Sequence, residues 1–234
     1  MPEEFVIYAL GCLMLPFLFS FEVSVNKVLI MDMSRSLSLN DYTESKKLFF
    51  SAVTELFKIL WPACLGLIAY SEQIISTLYT ETYLGSAPVL SVFAITYLLM
   101  VIPFNAVARA QERTSFVMKI YATSAFIGVL LTVILVESLN YWGALIAVIM
   151  AQVTLRALGF FDTLRTLNLK SEDFSSLKSL LFPFLSGLLF VLVPGLIISH
   201  FGLEKNHELI GFFVFGFLGA LLYLYSNYHL RKNR

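Results

Sequence analysis

The chain has 234 residues, of which 58% are hydrophobic and 15% aromatic while only 14% are charged, about half the charged share of a soluble globular domain. Its sixteen basic and sixteen acidic side chains cancel, so net charge offers nothing to attract nucleic acid, and no partner of that class is expected. The two cysteines, Cys12 and Cys64, lie inside apolar stretches without metal-ligand spacing. They read as small core residues, and neither a disulfide, a metal site nor a cofactor is expected.

A membrane helix needs ~20 mostly apolar residues, because the hydrocarbon core is ~30 Å thick and each helical residue rises 1.5 Å. By that rule the chain predicts an all-α, polytopic membrane protein with about seven spans, near 5–30, 47–70, 87–108, 116–137, 142–165, 178–200 and 208–229. Glu3 and Glu4 precede the first span where a cleaved leader would carry basic residues, so no signal peptide is expected. Pro16, Pro62, Pro103, Pro183 and Pro194 fall within four of the spans, and each removes a backbone hydrogen bond and predicts a bend. Small residues at Gly143, Ala144, Ala147 and Ala151 on the fifth span, and at Gly216, Gly219 and Ala220 on the seventh, predict faces where helix backbones approach closely.

The basic residues alternate with the spans. Fourteen of the sixteen are assigned to one side: Lys27, Arg35, Lys46 and Lys47 around the end of the first span, Arg109, Arg113 and Lys119 around the end of the third, Arg156, Arg165, Lys170 and Lys178 within or after the fifth, and Arg231, Lys232 and Arg234 after the seventh. The exceptions are Lys58, inside the second span, and Lys205. The positive-inside rule makes the fourteen-residue side cytoplasmic. Met1 is then outside and Arg234 inside. An odd number of helices that begins outside suggests that Met1 starts the C-terminal portion of a longer protein.

Residues 71–114 carry a family pattern. Ile74-Ile75, Leu78-Tyr79, Tyr83 and Ala87-Pro88-Val89-Leu90 resemble the "ii-x-x-lfG-x-x-Y-x-x-A-x-x-vL" stretch of the bacterial polysaccharide (O-antigen type) flippases, in the multidrug/oligosaccharidyl-lipid/polysaccharide exporter superfamily. Ala110 with Arg113-Thr114 is similar to that family's "A-x-g-R-t" cytoplasmic turn, and Gly143 to Ala147 is similar to its "G-A-A-i-A" helix start. Ser34-Arg35 followed by Asp41 resembles its "P-x-x-S-R … gd" segment. Thr80 and Glu112 stand where the family often has Gly, and Met31 where it has Pro. The resemblance covers about residues 5–170, while the last two predicted helices match in pattern only.

The resemblance implies two domains here: residues 1–170 corresponding to the C-terminal lobe of a two-lobed flippase, and 171–234 corresponding to two extra helices and a basic tail. It implies no enzymatic chemistry. Its substrate would be a lipid-linked oligosaccharide bearing a pyrophosphate, moved across the bacterial inner membrane by alternating access. The partner would be a missing N-terminal lobe or a separate half, besides the lipid bilayer. A cation-coupled multidrug antiporter of the same superfamily, or a truncated membrane subunit that transports nothing, would use the same helices.

Ionisable residues within spans are expensive and therefore candidates for function. Glu22, one turn from Asn26 on the first span, is a candidate coupling carboxylate; the structural alternative is an interhelical pair. Glu55 and Lys58 at i, i+3 on the second span are candidates for ion coupling and substrate binding, or else a self-satisfying pair with Lys58 reaching for the interface. Arg156, with Gln152 one turn before it, suits a pyrophosphate because a guanidinium makes paired bonds to phosphate oxygens. Its structural alternative is an arginine reaching toward headgroups beside Asp162. Asn105, two residues after Pro103, either contacts sugar hydroxyls or satisfies backbone freed by the proline.

Overall fold

A computed structural model describes residues 2–181, 183–189 and 191. The described residues are almost entirely helical and contain no strand. From residue 2 to residue 166 the described α-helices run in order: α1 Pro2–Gly11, α2 Pro16–Ser38, α3 Tyr42–Ala69, α4 Ser71–Leu78, α5 Ala87–Phe93, α6 Ile95–Leu99, α7 Ala106–Ala110, α8 Thr114–Leu139 and α9 Tyr141–Thr166. Two 3-10 segments, Glu81–Ser86 and Asp173–Leu180, precede α5 and follow α9.

Among the described residues four helical stretches are long and apolar enough to cross a membrane: Tyr42–Ala69, Glu81–Leu99, Thr114–Leu139 and Tyr141–Thr166. A fifth is possible only if α1 and α2, bent by 45° across a short break, count as one span. The expected count of seven is therefore reached only in part. The seventh expected span, 208–229, lies outside the described residues. The sixth is described only to residue 191, and its residues 183–189 are helical. That segment follows α3: the Trp61 indole stacks on Phe184 at 4.8 Å and donates to its carbonyl, and Tyr70 Oη donates to Val191 O at 3.0 Å. Both contacts advance in the same chain direction, so the segment runs parallel to α3.

Two of the expected spans are not single helices. The first is interrupted at 12–15 and then continues to Ser38, well past its expected end. Pro16 takes the first-turn position of α2, where its missing N–H costs nothing and its fixed φ favours helix. The third stops at Leu99, passes through the irregular residues 100–105 around Pro103, and resumes as the short α7. Pro62 sits inside α3, which continues through it to Ala69.

Helix ends explain the turns. Asn40 and Asn168, at φ 57° and 48°, follow α2 and α9 in left-handed conformation. At each, the next amide bonds back to a carbonyl five residues earlier: Asp41 N to Ser36 O at 2.9 Å and Leu169 N to Leu164 O at 3.0 Å. This Schellman closure satisfies carbonyls that a helix end leaves open. Glu112, also at φ 57°, closes α7 in the same way through Arg113 N to Ala108 O at 2.9 Å. The α2–α3 turn is further fixed by Asp41, which caps α3 through Glu44 N at 2.9 Å, and by a buried Ser36–Ser45 hydroxyl pair at 2.6 Å.

The interior has two main apolar clusters along α2 and α3. One joins Leu18, Leu56, Leu60, Cys64 and Leu67 to α5, α6 and Leu145. The other joins Leu29, Met33, Phe49 and Phe50 to Val107, Ala110 and Leu167. Cys12 and Cys64 are free thiols. α8 packs chiefly on α9 and turns the rest of its surface outward, with Phe126, Val129, Val133 and Ile134 exposed. The expected small-residue face of the fifth span makes this packing close. A Cβ on Gly143 would stand 2.3 Å from Leu135 O, and Ser124 Oγ donates to Ala151 O at 2.7 Å.

Candidate functional site

On three separate elements a polar residue or an irregular segment falls between the residues of the two apolar clusters. On α2 it is Glu22, between Leu18 and Leu29; on α9 it is Arg156, between Leu145 and Leu167. The third is the later part of the break, residues 102–105, between Val101 and Ala106. These meet. Glu22 and Arg156 are each only 6% exposed, and Arg156 Nη1 lies 3.6 Å from Glu22 Oε1. At that separation they form an ion pair without a short hydrogen bond. Asn26, one turn along α2, donates to the same Glu22 oxygen at 2.8 Å.

Arg156 also holds the broken span. Its Nη1 donates to Ile102 O at 2.9 Å, and the guanidinium lies 4.8 Å from the centre of the Phe104 ring. A carbonyl released by a break in an apolar interior needs a polar partner. One turn farther along α9, Gly159 allows the approach: a Cβ there would lie 2.0 Å from Phe104 O. Two buried polar atoms of the cluster are left without a hydrogen-bond partner, Arg156 Nε and Asn26 Oδ1.

The arrangement revises several sequence expectations. Arg156 does not reach outward beside Asp162. That aspartate is taken by Arg113, whose two terminal nitrogens reach Asp162 Oδ1 and Oδ2 at 2.8 and 2.6 Å, with Thr166 Oγ1 at 3.2 Å. The two arginines thus divide the labour on α9: Arg113 ties the α7–α8 turn to its end, and Arg156 ties the broken span to its middle. Asn105 does not satisfy the backbone around Pro103; its amide points to Tyr121 Oη at 3.4 Å, and Arg156 serves the freed carbonyl instead. Glu55 and Lys58 pair with each other at 3.0 Å, and Gln152 is half-buried on α9 and makes none of the Arg156 contacts described above.

One residue central to this region carried no sequence signal. Tyr97 on α6 is 1% exposed, and its hydroxyl sits in the break between α1 and α2. It accepts from Leu15 N at 2.7 Å and donates to Leu13 O at 3.0 Å. A tyrosine in an apolar run reads as ordinary packing, and only the fold shows that the break lies above its ring. The Glu22–Asn26 contact was legible from i, i+4 spacing. The Glu22–Arg156 contact was not, because the two residues are separated by most of the chain.

Among the described residues no group of histidine, cysteine and carboxylate side chains is arranged to hold a metal. No protein-family model matches the chain, and no curated protein matches it.

Proposed function

We propose that this chain is the C-terminal portion of a flippase that moves lipid-linked oligosaccharide from the cytoplasmic to the outer leaflet of a bacterial cytoplasmic membrane by alternating access. Seven spans, an outer N-terminus and a cytoplasmic C-terminus belong to this reading. It is supported by the motif residues between Ile74 and Thr114 and carried by one observation, the buried Arg156–Glu22 pair seated on a broken span. Charged side chains at such depth are costly and mark transport paths in membrane proteins. In the described conformation the guanidinium is occupied by Glu22 and Ile102 O. A pyrophosphate therefore takes Arg156 in another conformation, by displacing the carboxylate and using the unpartnered Nε as well.

The test is translocation of a fluorescent lipid-linked oligosaccharide in proteoliposomes holding the protein with its partner lobe. Arg156→Gln should reduce the rate by at least about tenfold, the equivalent of one charge-assisted hydrogen bond, with unchanged membrane incorporation. Undiminished translocation in Arg156→Gln would sink the reading. Glu22 is the observation that favours the antiporter of the same superfamily, since a carboxylate suits a cationic drug. Efflux of a cationic dye that is lost in Glu22→Gln, with no oligosaccharide movement, would establish that alternative.

A further inference from the structure

The two broken spans are joined by a closed ring of contacts. It starts in the first break, where Tyr97 Oη both accepts from Leu15 N and donates to Leu13 O. From Tyr97 the chain runs to the second break through successive tight-turn hydrogen bonds: Met100 N to Tyr97 O, Val101 N to Leu98 O and Ile102 N to Leu99 O, at 3.2, 3.2 and 3.3 Å. No residue between Tyr97 and Ile102 is left slack. Ile102 O is held by Arg156 at 2.9 Å, and Arg156 faces Glu22 at 3.6 Å. Glu22 is two helical turns beyond Leu15 on α2, which returns the path to the first break.

We propose that this ring makes the two breaks a single hinge, so that the bend between α1 and α2 changes only when Arg156 lets go of Glu22 or Ile102. The side chains that close the ring, Tyr97, Arg156 and Glu22, are all buried, and their partners are backbone groups of the breaks or each other. Losing one link therefore leaves an unmet donor or acceptor that the rest of the ring must move to satisfy. Coupling of this kind travels through contiguous hydrogen bonds and rigid elements with discrete arrangements. The inference concerns motion within this chain and does not depend on what is transported.

The experiment measures the α1–α2 bend directly. Nitroxide labels are placed at the exposed positions Phe5→Cys and Val28→Cys, in full-length protein in lipid nanodiscs with Cys12 and Cys64 replaced by alanine, and the distance distribution is read by double electron–electron resonance. Tyr97→Phe should widen the distribution at least about twofold. Arg156→Lys should widen it comparably although it touches neither labelled helix at the break, and the double variant should be no wider than the wider single, because contacts in one network are not additive. Glu22→Gln, which leaves Arg156 on Ile102, opens the ring at a different link should Arg156→Lys fold poorly. The hinge is overturned if Arg156→Lys and Glu22→Gln leave the bend unchanged, or if their effect simply adds to that of Tyr97→Phe.

Discussion

The α8–α9 hairpin and the broken first and third spans solve the same problem in opposite ways. In the hairpin every backbone group between the caps bonds within its own helix. Its side chains are then free to be apolar and outward-facing, and only 11% of the most apolar stretch of α8 is buried. In the broken spans the backbone leaves carbonyls and amides unmatched, and side chains from elsewhere must answer them. Tyr97 and Arg156 do so, at 1% and 6% exposure. An intact helix can face anything, whereas a broken one must be enclosed by its neighbours.

Disturbing that enclosure should cost most where backbone meets backbone. Gly159→Ala places a methyl group against Phe104 O and should destabilise the protein by about 3 kcal/mol or more, as overpacking at a rigid contact does; thermal unfolding in detergent measures it. Glu22→Gln leaves Arg156 as a buried, uncompensated charge and should cost about 3 kcal/mol. The double variant Glu22→Gln, Arg156→Met should recover much of that loss, since an apolar replacement of both partners leaves no buried charge. If the double variant is as unstable as the single, the guanidinium's bond to Ile102 outweighs its pairing with Glu22. Tyr97→Phe removes one hydroxyl from the first break and should cost about 2 kcal/mol for the unmet backbone groups.

The remaining contrasts are smaller and lie at helix ends. Glu112 holds a left-handed conformation, φ 57°, that costs a residue with a Cβ about 1 kcal/mol relative to glycine. Glu112→Gly should raise stability by about that amount, measured by chemical denaturation. Asp173 accepts from the Lys170 amide and the Lys46 ammonium, each at 2.8 Å, and these hold its carboxyl below the ordinary value of 3.8. A lowered folded value means the restraint is complete above 3.8 and is lost as pH falls through Asp173's own lower value. A spin label at Glu172→Cys should therefore stay restrained in mildly acid buffer and become mobile in strongly acid buffer. In Asp173→Asn it should be mobile at neutral pH.

Much of the intact half of the fold was legible. The fourth and fifth apolar runs predicted α8 and α9 to within a few residues, because an unbroken helix is governed by local composition. The broken half was legible only at its punctuation. Pro16 and Pro103 marked where something would happen, but a proline states only that a hydrogen bond is missing, not which distant group replaces it. Pro62 illustrates the limit, since the same residue type sits in α3 without interrupting it. Arg156 was singled out for its charge, while its position on the Ile102 carbonyl depended on Gly159 and on a break in another span. Sequence shows which groups will need partners; packing decides which partners they get.

The left-handed helix exits bear on three of the arginines that the proposed orientation places on the cytoplasmic side. Arg35, Arg109 and Arg165 each sit in the last turn of a helix that ends this way. There the aligned peptide dipoles present partial negative charge, and a cation contributes a few tenths of a kcal/mol whether or not a membrane is present. Under the proposed orientation these arginines would carry two messages, one to the insertion machinery and one to the folded helix. Exchanging them for neutral residues would confound a topology experiment with a folding defect. Lys47, exposed on α3 and away from any helix's last turn, carries the first message with little of the second.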